Sequence, residues 1–490
     1  MKKFLLLVSA LAVCGSAAFA DDFATPGDGT DYTFASLAAL EGSGVSIDGE
    51  TVTIDGNITI TAPDSFSIDA DVKTVKMATD AAVTFAGPVS FVASEGNRLL
   101  VTRLNEEATP KGFWFENATA VSDISRIDFE YAQVRNFSEF GLFISDCTFR
   151  YANGNLTSMG ALSLGASGAS FVVKNCTFEY NQVPAIGCAA NYYCGLLIED
   201  CTFVDNNCQN NNQPQLNLTV ALDQDLIIKN CTLTGAQRNM VGGIGVGNLM
   251  VAEGKNHVEI TGCTITDHRY GLTGTGPMDM VIRDNTLINN RYEDNPMNGG
   301  SAINLMDPYG LTTAIISGNH IENSLWGITV IGCKDVNIGQ VDNPDSPGNN
   351  VFKDNGFDGT PYDLYNNSKI TVYAQNNTWS VPEQTEAEIE TVIFHKNDNP
   401  DLGEVIFMPA KDPSAVKSVM ADGKLVVEGG ILTAPSMANA NVMVSDAAGK
   451  MILSKTIGNE GIDLSALPAG IYVINVKADN GSASLKFILR

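Results

Sequence analysis

Along most of the chain, apolar and polar residues alternate in short runs broken by Asn, Asp and Gly. This is the period-two signature of strands with one buried face, and helical periodicity is absent. One phrase recurs: Cys147-Thr148-Phe149, Cys176-Thr177-Phe178, Cys201-Thr202-Phe203, Cys231-Thr232-Leu233 and Cys263-Thr264-Ile265. It continues as Asn285-Thr286-Leu287 and Asn319-His320-Ile321, at intervals of 29, 25, 30, 32, 22 and 34 residues. A repeat in that range with variable insertions predicts a solenoid.

Aligned on the Cys or Asn, the copies share columns. Three residues earlier stand Ile144, Val173, Ile198, Ile228, Ile260, Ile282 and Ile316, and two residues later a Phe, Leu or Ile. The residue just before is Asp146, Asn175, Asp200, Asn230, Gly262, Asp284 or Gly318, types that accept a bend and positive φ. A third strand recurs at 160–164, 242–246, 301–305 and 326–330, alternating apolar with small or polar residues. Three short strands and three bends per coil describe a parallel β-helix. Val45 to Ile60 also alternates and is expected to begin it, although the coils before about residue 110 have no clear register.

On these columns, residues from about 45 to about 409 resemble the right-handed parallel β-helix proteins of the pectate-lyase-like superfamily. The segments from Asn376-Asn377-Thr378-Trp379 and Leu402 to Pro409 resemble its closing coil, with Glu386 to Phe394 as a short amphipathic helix over the open end. The resemblance implies the fold; activity varies too widely across that superfamily to be carried over.

The first 20 residues read as a secretory signal: Lys2-Lys3, an apolar core from Phe4 to Val13, and Ala18-Phe19-Ala20 before the cut. The apolar run is too short to span a membrane, and no other stretch is suited to it. After Pro409 the repeat ceases. Residues 410–418 read as a linker, and 419–490 carry short strands punctuated by turns, which predicts a small β-sandwich. That segment resembles the C-terminal sorting domain of the type IX secretion pathway. The matching residues are Val444 to Lys450, Ile462 to Tyr472 and the ending Lys486-Phe487-Ile488-Leu489-Arg490. The resemblance implies secretion-machinery partners and a place on the outer-membrane surface or outside the cell. The expected architecture is therefore all-β: signal peptide 1–20, parallel β-helix 21–409, linker 410–418 and sorting domain 419–490.

The formal charge is −27, and residues 21–418 carry −29 of it. This excludes nucleic acid as a partner and disfavours a polyanionic polysaccharide unless cations bridge it. Nine cysteines follow the signal. Five share the ladder column with Asn and are read as buried small hydrophobes rather than disulfides. Cys188 falls in the column of Leu164, Val246, Leu305 and Val330, and a disulfide of Cys194 with Cys188 or Cys208 is left open.

Candidate chemistry concentrates after copies five and six, at Asp267-His268-Arg269-Tyr270 and Asn289-Asn290-Arg291-Tyr292, with Glu293 and Asp294 following. In-register stacking would set Arg269 over Arg291 and align Tyr270, Tyr292 and Trp326. Aromatic faces stack on sugar rings, and Arg and carboxylates bond hydroxyls. Tyr270, Tyr292, Trp326, Glu293 and Asp294 are thus candidate ligand contacts. Asp267, His268, Arg269 and Arg291 are candidate catalytic groups for a lyase or hydrolase. The same residues also admit a structural role, with the rings in the core and the arginines paired to carboxylates. Paired-Asp and Gly-His-Gly elements of polygalacturonases are not found. Asp354 and Asp358, in a loop with Asp342, Asp345 and Asp363, are candidate calcium ligands without EF-hand spacing. No cofactor other than calcium is suggested. The expected function is a surface for glycan or host-macromolecule binding, with a carbohydrate-active enzyme or an adhesive stalk as alternatives.

Overall fold

The computed structural model describes residues 22–153, 159–254, 256–293 and 295–411, and in the tail 425–428, 430–434, 440–446, 450–458, 461–468, 470–478 and 481–489. The segment read as a signal peptide, that read as a linker from 412 onward, and Asp294 lie outside the described residues.

Each coil contributes one strand to each of three long sheets. Sheet 1 holds the strand before the Cys or Asn (Ser170–Lys174, Gly195–Glu199, Gln224–Lys229). Sheet 2 holds the strand after it (Thr177–Glu179, Thr202–Val204, Thr232–Thr234), and sheet 3 the third strand (Ile186–Cys188, Leu216–Thr219, Ile244–Gly247). The sheets contain 14, 13 and 14 strands in coil order. Pairing between coils is parallel throughout. Sheet 2 alone opens with an antiparallel hairpin, Val45–Asp48 against Thr51–Ile54.

The columns read from sequence are ladders in space. Ile144, Val173, Ile198, Ile228, Ile260, Ile282 and Ile316 are successive partners in sheet 1. Phe149, Phe178, Phe203, Leu233, Ile265, Leu287 and Ile321 are successive partners in sheet 2. All are buried, and each such side chain contributes about 1.5–3 kcal/mol on leaving water. The Phe149 and Phe178 rings stack at 4.6 Å and Phe178 and Phe203 at 5.2 Å. Between the two sheets the chain turns on a left-handed residue, with φ of 53° at Asp146, 51° at Asn175, 54° at Asp200 and 72° at Gly318. Asn, Asp and Gly tolerate that conformation, which is why they dominate this column; Arg126, at φ 60° before Ile127, is an exception.

The ladder at the Cys and Asn changes character along the solenoid. The thiols of Cys147, Cys176, Cys201 and Cys231 are buried and each donates to the carbonyl two residues back at 3.2 Å. All nine described cysteines are free. From Asn285 the ladder becomes an amide tape. Asn285, Asn319 and Asn350 each donate through Nδ2 to Oδ1 of the next Asn, at 3.0, 2.9 and 2.9 Å, ending on Asn377. Each also donates to a main-chain carbonyl of the preceding coil, at Ile260, Ile282 and Ile316. The phrase also runs N-terminally: Ile127-Asp128-Phe129 pairs with Thr148 and Phe149, and Leu99-Leu100-Val101 with Ile127 to Phe129. These coils escape a search for Cys-Thr because Ile and Leu fill the Cys position.

Both ends of the core are covered. At the first, the helix Phe34–Ala38 is capped by Thr33, whose Oγ1 accepts from the Ser36 amide at 3.3 Å, and it buries Phe34 and Leu37 completely. At the other, the expected helix is shorter than 386–394. It is helical at Glu386–Ile389 and 3-10 at Glu390–Val392, and Ile393–Phe394 then joins sheet 3 beside Leu364 and Tyr365. Buried Ile389 and Val392 close that end, and buried Trp379 stacks on Phe352 at 4.9 Å.

The tail has its own core, separate from that of the helix, built on Leu432, Val442, Val444, Leu464, Ile474 and Phe487. It comprises antiparallel sheets of three and four strands. Its short strands Ile431–Thr433 and Ile462–Asp463 pair antiparallel. Tyr472 is buried and donates to the Pro468 carbonyl at 2.7 Å, which fixes the turn before its strand.

Candidate functional site

The outer face of sheet 3 carries a groove of about 620 Å³ across successive coils. Its floor is one outward column: Asn217, Gly245, Thr273, Asn304 and Thr329, each the strand partner of the next. Asn304 Nδ2 donates to Thr273 Oγ1 at 2.9 Å, so neighbouring rungs orient each other. One wall is formed by Asn212, Pro214, Arg269, Tyr270 and the loop 296–299, and the far end by Trp326 and Tyr365. These floor residues are the small or polar positions of the third strand. The alternation in sequence marks them as outward-facing, but nothing in it marks them as a site.

Arg269 and Tyr270 reach the groove from the corner between sheets 2 and 3. Arg269 Nε stands 3.4 Å from Glu293 Oε2, and the guanidinium donates to Asn212 Oδ1 and the Asn298 carbonyl. It is thereby held over the Tyr270 ring, 6.0 Å from its centre. In the preceding coil a Cβ on Gly242 would lie 2.1 Å from that ring, so only glycine leaves Tyr270 its place. Burial pushes the Tyr270 hydroxyl up to about 12, which keeps it protonated at neutral pH.

The expected aromatic column is corrected. Strand register aligns Tyr270 with Ser301, and Ser301 is the partner of Trp326. The loop that follows Tyr292 takes it out of the ladder, and Ser301 fills the rung. Tyr292 instead turns to the corner, its hydroxyl 2.7 Å from Asn289 Nδ2 and 3.4 Å from Asp267 Oδ1. Nor do Arg269 and Arg291 form a pair, because Arg291 donates to Asn323 Oδ1. Asp267 occupies the left-handed corner position at φ 63° and accepts from the Asn289 side chain, outside the groove lining. Glu293 serves as the partner of Arg269. Trp326 does stack, but on Tyr365, at 4.5 Å and 8°, and Tyr365 in turn on Phe394 at 4.5 Å.

His268 is removed from surface chemistry. It is 1% exposed and stands in a second buried polar column, five residues after the ladder Cys or Asn, with Asn181, Asn206, Asn290 and Asn355. In the intervening coil the equivalent residue is Ala236, and Gln215 reaches in to fill the rung. Gln215 Oε1 accepts from Asn206 Nδ2 at 2.7 Å, and its Nε2 lies 2.7 Å from His268 Nε2. His268 Nε2 must accept there, so the imidazole is neutral with its proton on Nδ1. Burial lowers its pKa to about 4, against opposing effects of Asn290 and Asp267.

The unfolded chain therefore takes up this proton near pH 6.5 and the folded chain near 4. Between the two, the unfolded state holds more protons, so stability falls as pH drops through that window, by on the order of 3 kcal/mol in all. His268→Asn places the side chain of Asn206 and Asn290 in the same column. Urea midpoints at pH 7.5 and pH 4.5 should show the variant losing less stability than the parent on acidification. An equal loss in both would assign the titration elsewhere.

The candidate calcium ligands do not converge. Asp358 tips the hairpin of Gly356–Phe357 and Thr360–Pro361, and exposed Asp354 lies 3.9 Å from Lys353. Asp363 is buried and accepts from Ser380 N at 2.8 Å, Ser380 Oγ at 2.7 Å and Asn355 Nδ2 at 3.1 Å, a structural role. Burial raises its pKa to about 6. Among the described residues no cluster of three His, Cys, Asp or Glu is arranged to hold a metal ion.

Among curated proteins none matches the chain. Solved structures similar to it include the periplasmic alginate epimerase AlgG, at 12% identity and a TM-score of 0.40 over 77% of this chain and 83% of that one. A double mutant of the same epimerase gives 12% identity and a TM-score of 0.41 over 78% and 83%. The architecture rests on the strand ladders themselves. Residues 423–490 match the family model described as a secretion system C-terminal sorting domain. The chain is thus a parallel β-helix ending in a type IX secretion C-terminal sorting domain, exported to the outer-membrane surface or the extracellular space.

Proposed function

We propose that the exported β-helix binds a polysaccharide chain laid along the groove of sheet 3. The observation that carries this reading is the floor: five in-register outward positions from Asn217 to Thr329, bordered by Arg269 and Tyr270 and ended by Trp326 and Tyr365. Parallel strands repeat every ~4.8 Å, close to the length of one sugar unit. Each rung thus offers an amide, a hydroxyl or a bare glycine to successive sugars, and the aromatic rings offer stacking faces.

The groove favours binding over turnover. Glycoside hydrolysis uses two carboxyl groups flanking the scissile bond, whereas Arg269 is the one charged residue among its described lining. Elimination would need a base, and the Tyr270 hydroxyl, pushed up to about 12, is a poor one at neutral pH.

The test is the mature chain from residue 21 screened against a polysaccharide panel, with and without calcium, scoring retention, ultraviolet-absorbing products and reducing ends together. Retention without product is expected. Arg269→Ala should weaken it about tenfold, the loss of one charge-assisted hydrogen bond. Product formation abolished by Arg269→Ala would make the groove an active site. Silence in every channel would leave an adhesive or structural stalk.

A further inference from the structure

We propose that the groove selects uncharged polysaccharides and that Trp326 forms its specificity-determining subsite; the inference rests on the groove being the glycan site. Two independent observations lead there. The first is electrostatic. Arg269 is the lone charged group among the described lining, and it is already matched by Glu293 at 3.4 Å and by the Asn212 and Asn298 oxygens. A carboxylate entering the groove would shed water without gaining a free cation, against the field of a chain whose residues 21–418 carry −29. Hydroxyl-bearing sugars meet no such penalty. The floor of Asn, Thr and Gly suits them, since amides and hydroxyls both donate and accept.

The second observation is an orphaned donor. Trp326 is 8% exposed and lines the groove, and its enclosed Nε1 has no hydrogen-bond partner among the described residues. Its ring is locked by the parallel stack on Tyr365 at 4.5 Å and an edge contact with Tyr362 at 6.2 Å. Ser301 and Thr329 join hydroxyls at 2.9 Å beside it. A buried N–H without an acceptor is unfavourable and is rare in folded proteins. Nε1 is closed off in the empty groove, so a sugar oxygen supplies the acceptor once binding parts the side chains that cover it, while the Trp326–Tyr365 pair offers apolar surface to the ring. Together they make a subsite that rewards a neutral pyranose.

The experiment uses the full mature chain and the Trp326→Phe variant. Affinity electrophoresis is run against mixed-linkage β-glucan, xylan and galactomannan on one side, and polygalacturonate and alginate on the other. Phenylalanine keeps a ring against Tyr365 and removes the donor, and a melting temperature like the parent's shows the fold intact. Retention by at least one neutral polymer is expected, insensitive to added salt, and roughly tenfold weaker in Trp326→Phe. Anionic polymers held as tightly as neutral ones, or only anionic polymers held, would overturn the selectivity while leaving the groove a glycan site. Equal affinity of Trp326→Phe and parent for the neutral polymer would overturn the subsite. No retention of any polymer would overturn the groove reading itself, and this inference with it.

Discussion

Asn319→Ala is expected to destabilise the β-helix by about 3–5 kcal/mol, the range for breaking a buried hydrogen-bond network. Its Oδ1 accepts from both the main-chain N and the Nδ2 of Asn285, at 3.0 Å each, while its Nδ2 donates to Asn350 Oδ1 at 2.9 Å and the Ile282 carbonyl at 3.0 Å. Alanine leaves these four partners, and the Ser317 carbonyl to which Nδ2 also donates at 3.1 Å, short of a bond in a fully buried place, and each buried group so orphaned costs about 1–3 kcal/mol. Cys231→Ala, in the same column, removes one weak thiol bond and a small apolar volume, and should cost only about 1 kcal/mol. Coils of a solenoid depend on their nearest neighbours. Urea unfolding followed by circular dichroism should therefore show an earlier, split transition for Asn319→Ala and a nearly parental curve for Cys231→Ala. Matching losses in the two variants would mean that the amide tape adds nothing beyond filling space.

A chain ended after Lys411 is expected to lose surface delivery almost completely while keeping a folded β-helix. The sorting domain is a unit with its own apolar core, and no residue of that core is shared with the cluster that runs from Tyr32 to Phe407. Among the described residues, Ile389, Val392 and Trp379 of the solenoid itself close its core at that end. Protease treatment of intact cells should degrade the full chain and spare the truncated one, which should melt like the full chain once extracted. Equal protease sensitivity on intact cells would show that the passenger carries export information of its own.

Several features needed nothing but the sequence. The Ile and Phe columns and the bend between them were legible because each coil repeats one hydrogen-bonding geometry. Side chains in a strand alternate strictly, so an apolar residue kept at one offset must face the core. The left-handed corner was legible because only Gly, Asn and Asp adopt it readily. The sorting domain was legible from the order of its turn residues. Coils without Cys-Thr were missed, because Ile127 and Leu99 fill the same inward position by packing alone.

The site was another matter, and the tertiary structure decided it. Offset counting set Tyr292 beneath Tyr270, but the loop after Tyr292 hands that rung to Ser301, and spacing cannot tell an insertion before a strand from one after it. His268 looked like a catalytic base, yet at a corner the backbone direction, not alternation, decides which side chains enter the core. Only the tertiary structure reveals that Gln215, from two coils earlier, comes to meet it. The groove floor had no signature at all. Asn217, Gly245, Thr273, Asn304 and Thr329 are unremarkable one by one and become a surface only when the ladder sets them in register. Repetition along the chain fixes what every coil shares, whereas a binding site depends on how the coils differ, and those differences meet only in three dimensions.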